Sequence, residues 1–298
     1  MVRITGTTKL AGVIGWPLEH SLSPAMHNAA YEELGLDWAY VPLAIGDEIG
    51  LRRVVAAIRS LPFVGFNITM PYKADMLELC DEVATAAAMA GAINTVQVVD
   101  GRLIGYNTDG RGMLESLSED AGFSPEGKRI VLLGAGGAAG AALVAFVLGK
   151  AANVCVVSRD LSRSDEMTGR ISQHLKATDV RSETFETAEE CVRAADLVVN
   201  ATPVGMQPGD PSPIPGDWLT SRQVVLDMVY GGAGPSTLVT EARAVGAVAL
   251  DGLGMLVGQG ALSVDIWNPD HERRTPRATM RRAAEVELER RAREGGMR

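Results

Sequence analysis

Residues 130–140 read IVLLGAGGAAG and decide the fold of the second half of the chain. Gly134, Gly136 and Ala139 match the pattern G-x-G-x-x-[G/A], with an apolar strand before it and an alanine-rich helix after it. The first glycine permits a tight turn, the second lets a pyrophosphate approach the backbone, and the alanine lets helix and strand pack closely. A packing turn rich in Gly and Ala is the alternative. The order of strand, loop, helix and second strand favours dinucleotide binding.

The end of the second strand bears on the choice between NAD and NADP. Ser158 directly follows that strand, Arg159 and Asp160 come next, and Arg163 lies one helical turn beyond Arg159 if a helix begins there. Two guanidinium groups can make charge-assisted contacts with a ribose 2′-phosphate, so we expect NADP. Asp160 has two interpretations. It either caps a helix or repels the 2′-phosphate, and the second interpretation keeps NAD open as a cofactor.

Short apolar runs alternate with helix-length segments along the chain, which predicts an α/β protein. In the first half we predict strands at 10–16, 38–45, 63–69 and 92–99 and helices at 24–34 and 47–60. In the second half we predict strands at 130–133, 154–157, 197–200, 224–228 and 248–250, and helices at 110–121, 138–148 and 277–293. This alternation favours mostly parallel sheets that carry helices on both faces.

Composition excludes several classes of protein. The chain has 298 residues, of which 46% are hydrophobic and 22% charged, as is typical of a globular protein. Its net charge of −9 and its aromatic content of 5% argue against a nucleic-acid partner. The three cysteines are far apart, no metal-ligand spacing occurs, and no apolar run is long enough for a membrane span. We therefore expect a cytoplasmic protein that binds no metal, no nucleic acid and no membrane.

Three motifs of the first half concentrate hydroxyl, amide and ammonium groups. The first is HSLSP at 20–24, where Ser23 is predicted to cap a helix that begins at Pro24. The second is NITMPYK at 67–73, where Lys73 follows a strand at the end where open α/β sheets bind ligands. The third combines GAINT at 91–95 with GYNTDG at 105–110. A solvated lysine and a capping aspartate at Asp109 are the structural alternatives.

The motifs, taken in order, resemble one known family. The segments HSLSP, NITMPYK, GAINT, GYNTDG, GAGGAA, SRDLSR, NATPVGM, DMVY and DGLGMLVGQGA resemble shikimate dehydrogenase, from about Gly12 to Ala261. The resemblance implies an N-terminal substrate domain at 1–109 with a mostly parallel sheet. It also implies a Rossmann-like NADP-binding domain at 110–251 and a C-terminal segment at 252–298 that packs back onto the substrate domain.

The resemblance also implies an activity and a set of site residues. The activity is the reversible NADPH-dependent reduction of 3-dehydroshikimate to shikimate, with Lys73 and Asp109 as the acid–base pair. The implied substrate-binding residues are Ser21, Ser23, Asn67, Thr69, Asn94, Tyr230 and Gln259. The implied cofactor-binding residues are Gly134, Ala135, Gly136, Gly137, Ala138, Ser158, Arg159, Arg163, Thr202, Met228 and Gly252.

Three alternatives stay open from the sequence. A quinate or aminoshikimate dehydrogenase would catalyse the same class of reaction on a ring that carries a different substituent. An enzyme resembling methylene-tetrahydrofolate dehydrogenase has the same broad architecture, but the HSLSP and NTD motifs argue against it. A non-catalytic NADP-binding sensor belongs to a different class, and the presence of both Lys73 and Asp109 disfavours it. The partners we expect are a small-molecule substrate and a second copy of the chain in a homodimer.

Overall fold

The chain forms two compact α/β units, described here from a computed structural model that covers residues 4–172, 178–207, 209–231 and 234–295. The first unit contains the residues up to Ala88, the segment Ala92–Thr108 and the residues from Val257 onward. The second unit contains Met89–Gly91 and Asp109–Leu256.

The strands and helices follow the predicted alternation. The first part of the chain forms β1 (Lys9–Gly15), α1 (Ser23–Leu34), β2 (Trp38–Ala44), α2 (Glu48–Ile58), β3 (Phe63–Ile68), α3 (Met76–Leu79), β4 (Glu82–Val83), α4 (Thr85–Ala90), β5 (Thr95–Val99) and β6 (Arg102–Tyr106). The middle part forms α5 (Asp109–Ala121), β7 (Arg129–Leu133), α6 (Gly137–Leu148), β8 (Asn153–Val157), α7 (Leu161–Ile171), β9 (Asp179–Glu183), α8 (Glu189–Ala194), β10 (Leu197–Asn200), β11 (Val224–Asp227), α9 (Thr237–Ala244) and β12 (Val248–Leu250). The last part forms α10 (Leu253–Trp267) and α11 (Arg277–Gly295).

The sheet of the first unit is mostly parallel, as predicted. Its strand order is β2-β1-β3-β5-β6-β4, and only β5 runs antiparallel to its neighbours β3 and β6. Strand β6 was not predicted, and β5 begins at Thr95, later than the start of the strand predicted at 92–99. A hairpin explains the difference, because Asp100 and Gly101 adopt φ values of +50° and +77° between the two strands. An Asp-Gly pair in this conformation is the preferred two-residue hairpin turn.

The sheet of the second unit is parallel throughout. Read from β9, its order is β9-β8-β7-β10-β11-β12, which is the 3-2-1-4-5-6 order of the dinucleotide-binding fold. The prediction of a Rossmann-like unit is therefore confirmed. Strand β9 was not predicted, because its sequence DVRSE is polar and it lies at an exposed edge of the sheet.

Each sheet packs against its helices through buried apolar side chains. In the first unit, Trp267 of α10 lies over the sheet, and its indole N–H donates to the carbonyl of Val96 at 2.9 Å. A Cβ on Gly65 of β3 would lie 2.0 Å from the same indole nitrogen, so the close approach of this helix requires glycine. The last helix, α11, packs against α1. The C-terminal residues thus become part of the first unit.

Two features are absent from the part of the chain that the structure describes. No helix there is both long and apolar enough to cross a membrane. Within the same residues, no group of three or more His, Cys, Asp or Glu side chains is arranged to hold a metal ion.

Candidate active site

Two serines lie at the start of α1. The helix begins at Ser23, and Leu22 already has helical φ and ψ of −91° and −11°, so the N-cap position falls on a leucine with no capping side chain. The prediction that Ser23 caps the helix was wrong for this reason, because a capping residue needs extended backbone. The hydroxyl of Ser21 instead accepts from the backbone N–H of Ser23 at 3.3 Å. Ser21 is half-buried and Ser23 is buried.

Lys73 lies in the turn that follows β3. Two backbone hydrogen bonds join this turn to β1, from Thr69 to the carbonyl of Ile14 and from Trp16 to the carbonyl of Met70. The carbonyl of Lys73 accepts from the N–H of Ile93 at 2.8 Å. Lys73 and Thr69 are both half-buried. The turn is therefore held to the segment that leads into Asn94.

The side chain of Asn67 is the centre of a buried polar network. Its Oδ1 accepts from the hydroxyl of Tyr40 at 2.8 Å. Its Nδ2 donates to the carbonyl of Asn94, the hydroxyl of Thr95 and the hydroxyl of Ser263, at 2.9 to 3.1 Å. Both the oxygen and the nitrogen of the Asn67 amide are therefore hydrogen-bonded to other groups of the protein. A direct contact between Asn67 and substrate stays a prediction.

Asn94 connects three segments of the first unit. Its Oδ1 accepts from the backbone N–H of Thr108 at 2.7 Å, and its Nδ2 donates to the Thr108 hydroxyl at 2.9 Å. The same Nδ2 donates to Oε1 of Gln259 on α10 at 3.2 Å. Asn94 is 2% exposed. The fold therefore brings together two predicted substrate residues, Asn94 and Gln259, that are 165 positions apart.

Four members of this network were not predicted as site residues. Thr95 and Thr108 lie inside the motifs GAINT and GYNTDG, so their motifs carried the signal. Ser263 follows Gln259 by one helical turn, and its hydroxyl donates to the Gln259 carbonyl. Tyr40 lies on β2, where an apolar strand pattern gives no local indication of a polar role.

Two further predicted residues, Asp109 and Tyr230, belong to the second unit. Asp109 is the first residue of α5 and is 5% exposed, whereas Tyr230 is 39% exposed. Helix α5 lies close to α6, because a Cβ on Gly110 would meet the carbonyl of Ala141 at 2.4 Å. This contact fixes the start of the helix that carries Asp109.

The glycine loop has the backbone that the motif predicts. Gly134 adopts a φ of +111°, and its N–H donates to the carbonyl of Val157 at 2.7 Å. Helix α6 begins at Gly137, with the extended Gly136 at its N-cap. In the described part of the chain, no atom lies within 4 Å of the position that a Cβ on Gly136 would take, so the backbone faces open space there. This cradle fits a pyrophosphate, which binds the N–H groups at a helix start.

The loop after β8 shows that Asp160 caps a helix, whereas repulsion of a 2′-phosphate stays a prediction. Asp160 is the N-cap of α7, and its carboxylate accepts from the N–H and the hydroxyl of Ser162 at 3.0 and 2.6 Å. These hydrogen bonds hold the pKa of Asp160 below its usual value. Ser158 is buried and donates to the carbonyl of Asp160. Arg159 and Arg163 are both exposed.

A second polar network holds the loops that follow β10 and β11. Asn200 accepts from the N–H and hydroxyl of Thr202 and donates to Oδ1 of Asp227 at 2.9 Å. The other carboxylate oxygen of Asp227 accepts from the hydroxyl of Ser236 at 2.6 Å. Burial raises the pKa of Asp227, and the hydrogen bonds oppose this shift.

Met228 and Gly252, both predicted to bind the cofactor, lie against each other. A Cβ on Gly252 would lie 2.2 Å from the carbonyl of Met228, so the residue must be glycine for the two segments to meet. The N–H of Gly252 donates to the carbonyl of Val229 at 3.1 Å. The structure thus joins the start of α10 to the segment after β11.

Both halves of the chain are similar to known protein families. Residues 13–96 match the shikimate dehydrogenase substrate binding domain, and residues 117–205 match the shikimate / quinate 5-dehydrogenase family. The shikimate dehydrogenase (NADP(+)) of Geobacter metallireducens is 41% identical over 268 residues, which cover 89% of this chain and 92% of the relative.

Solved structures show the same similarity. Shikimate 5-dehydrogenase from Thermus thermophilus, in complex with NADP(H) and shikimate, matches with a TM-score of 0.81 and 34% identity over 93% of this chain and 99% of that one. Quinate dehydrogenase from Corynebacterium glutamicum, in complex with NAD, matches with a TM-score of 0.84 and 31% identity over 93% and 98%.

Proposed function

Because the chain belongs to the shikimate dehydrogenase family, we propose that it catalyses the reversible NADPH-dependent reduction of 3-dehydroshikimate to shikimate. The observation that carries this proposal is the buried cluster of amide and hydroxyl groups around Asn94. Lys73 lies on a turn next to this cluster in the chain's fold, because its carbonyl accepts from the N–H of Ile93, the residue before Asn94. A ring that bears several hydroxyl groups and a carboxylate is a substrate that such groups recognise.

Lys73 is the proposed acid in the reductive direction. Bound NADPH supplies the hydride. As negative charge develops on the substrate carbonyl oxygen, the ammonium of Lys73 donates a hydrogen bond and then a proton to it. Asp109 is the proposed second member of the acid–base pair, since a carboxylate opposes the effect of desolvation on an ammonium. In the oxidative direction Lys73 takes the proton from the substrate hydroxyl.

The substrate-side roles follow from the groups available in each segment. The hydroxyls of Ser21 and Ser23 are proposed to bind the substrate carboxylate at the start of α1. Thr69, Asn94 and Gln259 are proposed to bind ring hydroxyls, and Tyr230 adds a phenol from the second unit. Asn67 is proposed to bind substrate as well, with its amide held in place by Tyr40, Thr95 and Ser263.

The cofactor of this family member is NADP. We propose that the backbone N–H groups of the loop Gly134–Ala138 bind the pyrophosphate and that Arg159 and Arg163 bind the 2′-phosphate. Ser158, Thr202, Met228 and Gly252 are proposed to line the rest of the nucleotide site. Hydrogen bonds from Ser162 hold the carboxylate of Asp160 at the start of α7, where it caps the helix.

Quinate dehydrogenase is the second candidate, because a solved quinate dehydrogenase has a fold as similar to this chain as the solved shikimate enzyme has. Initial rates with shikimate, quinate and aminoshikimate, each with NADP⁺ and NAD⁺, decide between them. We expect the highest kcat/KM for shikimate with NADP⁺. A higher value for quinate would favour the second candidate, and NADPH binding without turnover of any substrate would indicate a non-catalytic sensor.

We also propose a cellular location and an oligomeric state for the protein. A cytoplasmic location is supported by the three cysteines, all of which are free thiols, because such thiols persist in a reducing compartment. A homodimer remains a proposal as well. Fractionation of the source cells tests the first, and light scattering after size-exclusion chromatography tests the second.

A further inference from the structure

Two cysteines of the second unit lie side by side under an arginine. Cys155 of β8 donates from its thiol to Sγ of Cys191 on α8, and the two sulfur atoms are 2.9 Å apart. Arg181 of β9 donates from Nη2 to the same Cys191 sulfur, also at 2.9 Å. Neither cysteine has a role in the proposed function. They are called the Cys155–Cys191 pair below.

We propose that the Cys155–Cys191 pair is an oxidative modification site, at which a small peroxide converts the two thiols into a disulfide. The sulfur of Cys191 attacks one oxygen of hydrogen peroxide, the O–O bond breaks, the thiol proton of Cys191 joins the departing hydroxide, and the products are a sulfenic acid and a water molecule. The sulfur of Cys155 then attacks the sulfenic sulfur. The S–O bond breaks, the thiol proton joins the departing hydroxide, and a second water leaves. Two thiols and one peroxide thus give one disulfide and two waters.

The surroundings assign different roles to the two sulfurs. The sulfur of Cys191 accepts two hydrogen bonds, one from the guanidinium of Arg181 and one from the thiol of Cys155, so it is the sulfur that faces the cation. Burial raises the pKa of the Cys155 thiol, and its hydrogen bond to Cys191 acts in the same direction. Cys155 therefore keeps its proton and donates it. Cys191 is the sulfur that reacts first, and Cys155 is the sulfur that resolves the sulfenic acid.

The space beside the pair limits which oxidant reaches it. A cavity of about 40 Å³ is lined by both cysteines, Arg181 and Arg129, among other residues. A single water needs roughly 10–15 Å³ of such space, so the cavity holds a molecule of the size of hydrogen peroxide and excludes a tripeptide thiol. The disulfide bond itself is about 2.04 Å long. Closing the gap from 2.9 Å requires a movement of less than about 1 Å.

Peptide mapping of the full-length protein tests the proposal directly. Trypsin cleavage after Lys150, Arg159, Arg181 and Arg193 releases the two cysteines in separate peptides, 151–159 and 182–193. After treatment with hydrogen peroxide we expect these peptides joined by a disulfide that dithiothreitol reverses, while Cys80 still reacts with an alkylating agent. Separate alkylation of Cys155 and Cys191 under conditions that oxidise Cys80 would overturn the proposal.

Variants test the assigned roles. Arg181→Met is expected to slow disulfide formation about tenfold, because it removes the cation that donates a hydrogen bond to the reacting sulfur of Cys191. Arg129→Met is the matched control, since Arg129 lines the same cavity but approaches Asp196 instead of a sulfur. Cys155→Ser should leave a sulfenic acid on Cys191 that dimedone traps. Equal oxidation rates in the wild type and in a folded Arg181→Met variant would contradict the role of the arginine.

Discussion

Arg291 on α11 donates from Nη2 to the carbonyl oxygen of Ser21 at 2.9 Å, across 270 positions of sequence. The same guanidinium donates from Nε to Glu287, one helical turn earlier, at 2.7 Å. Hydrogen bonds from Arg290 and then Arg291 lower the pKa of Glu287 to about 2, so this carboxylate stays ionised at ordinary assay pH. The C-terminal helix therefore holds the backbone of the loop whose serines are proposed to bind the substrate carboxylate.

The first prediction follows from this contact. Arg291→Met should raise the KM for shikimate about three- to tenfold, which corresponds to one hydrogen bond of about 1 kcal/mol, and should leave the KM for NADP⁺ unchanged. Arg290→Met is the matched control, because Arg290 pairs with the same Glu287 and with Glu294 on its own helix. Steady-state kinetics with both substrates provide the test. An equal rise in both variants would mean that the effect comes from α11 alone.

The second prediction separates the two serines. Ser23→Ala should raise the KM for shikimate about 10- to 100-fold, the range for a hydrogen bond to a charged group, without lowering the melting temperature. Ser21→Ala should lower the melting temperature as well, because the Ser21 hydroxyl accepts from the N–H of Ser23. Kinetics and thermal melts on both variants test this. A lower melting temperature for Ser23→Ala alone would contradict these positions.

The third prediction concerns the proposed acid. Lys73→Ala should lower kcat about 100- to 10,000-fold, the usual effect of losing a general acid or base, while the Kd for NADPH changes little. Lys9→Ala is the control, because Lys9 is an exposed lysine at the start of β1. Turnover and fluorescence titration measure the two quantities. A kcat close to that of the wild type would exclude Lys73 as the proton donor.

Local patterns predicted those parts of the fold that local physics determines. The glycine loop needs a left-handed residue at Gly134 and a helix start at Gly137, and both requirements are visible in a short stretch of sequence. The cap at Asp160 was one of two interpretations of a short motif, and the structure confirms the cap. The local pattern at Ser23 gave a wrong prediction, because Leu22 already has helical dihedral angles and takes the N-cap position instead of Ser23.

Long-range contacts could not be predicted in this way. Asn67 and Asn94 were each predicted from their own motifs, but their bonds to Ser263 and Gln259 depend on how α10 packs on the sheet. The hydrogen bond from Arg291 to the carbonyl of Ser21 could not be predicted either, because Arg291 is one of many charged residues in the helix predicted at 277–293. These positions carry no periodic signal, because their partners lie more than a hundred residues away.

The fourth prediction is a pH dependence of stability. His27 is fully buried, its ring stacks on Tyr40 with centroids 4.1 Å apart, and its Nε2 has no hydrogen-bond partner among the residues that the structure describes. Burial lowers its pKa from 6.5 to about 3. Between these two pH values the unfolded chain binds a proton that the folded chain does not. The stability from a neutral His27 is therefore complete above pH 6.5 and is lost as the pH falls towards 3.

Urea unfolding at several pH values measures this effect. The contribution of one such group reaches about 1.4 kcal/mol per pH unit, and other groups add their own slopes. His27→Phe keeps an aromatic ring against Tyr40 and removes the titrating nitrogen. We expect its free energy of unfolding to fall less steeply than that of the wild type between about pH 6 and pH 4. Equal slopes in the two proteins would contradict the burial-induced shift.

The fifth prediction concerns cofactor choice. Arg159→Ala should weaken NADP⁺ by about 1.5–3 kcal/mol and NAD⁺ little, because NAD⁺ has no 2′-phosphate for the guanidinium to bind. Rising salt should weaken NADP⁺ more than NAD⁺, since salt screens exposed charge pairs. The measurement is kcat/KM for both cofactors. If the variant loses both equally, Arg159 stabilises the loop and does not select the cofactor.

Asp160 completes this prediction, because its two roles can be separated by substitution. Asp160→Ala removes both the negative charge near the 2′-phosphate and the cap of α7, whose loss typically costs about 1 kcal/mol. Asp160→Ser removes the charge but keeps a capping oxygen, so it should improve kcat/KM for NADP⁺ at an unchanged melting temperature. Asp160→Ala should show the same gain with a lower melting temperature. If Asp160→Ser leaves the NADP⁺ to NAD⁺ ratio unchanged, the carboxylate acts on α7 alone and Arg159 and Arg163 determine the preference.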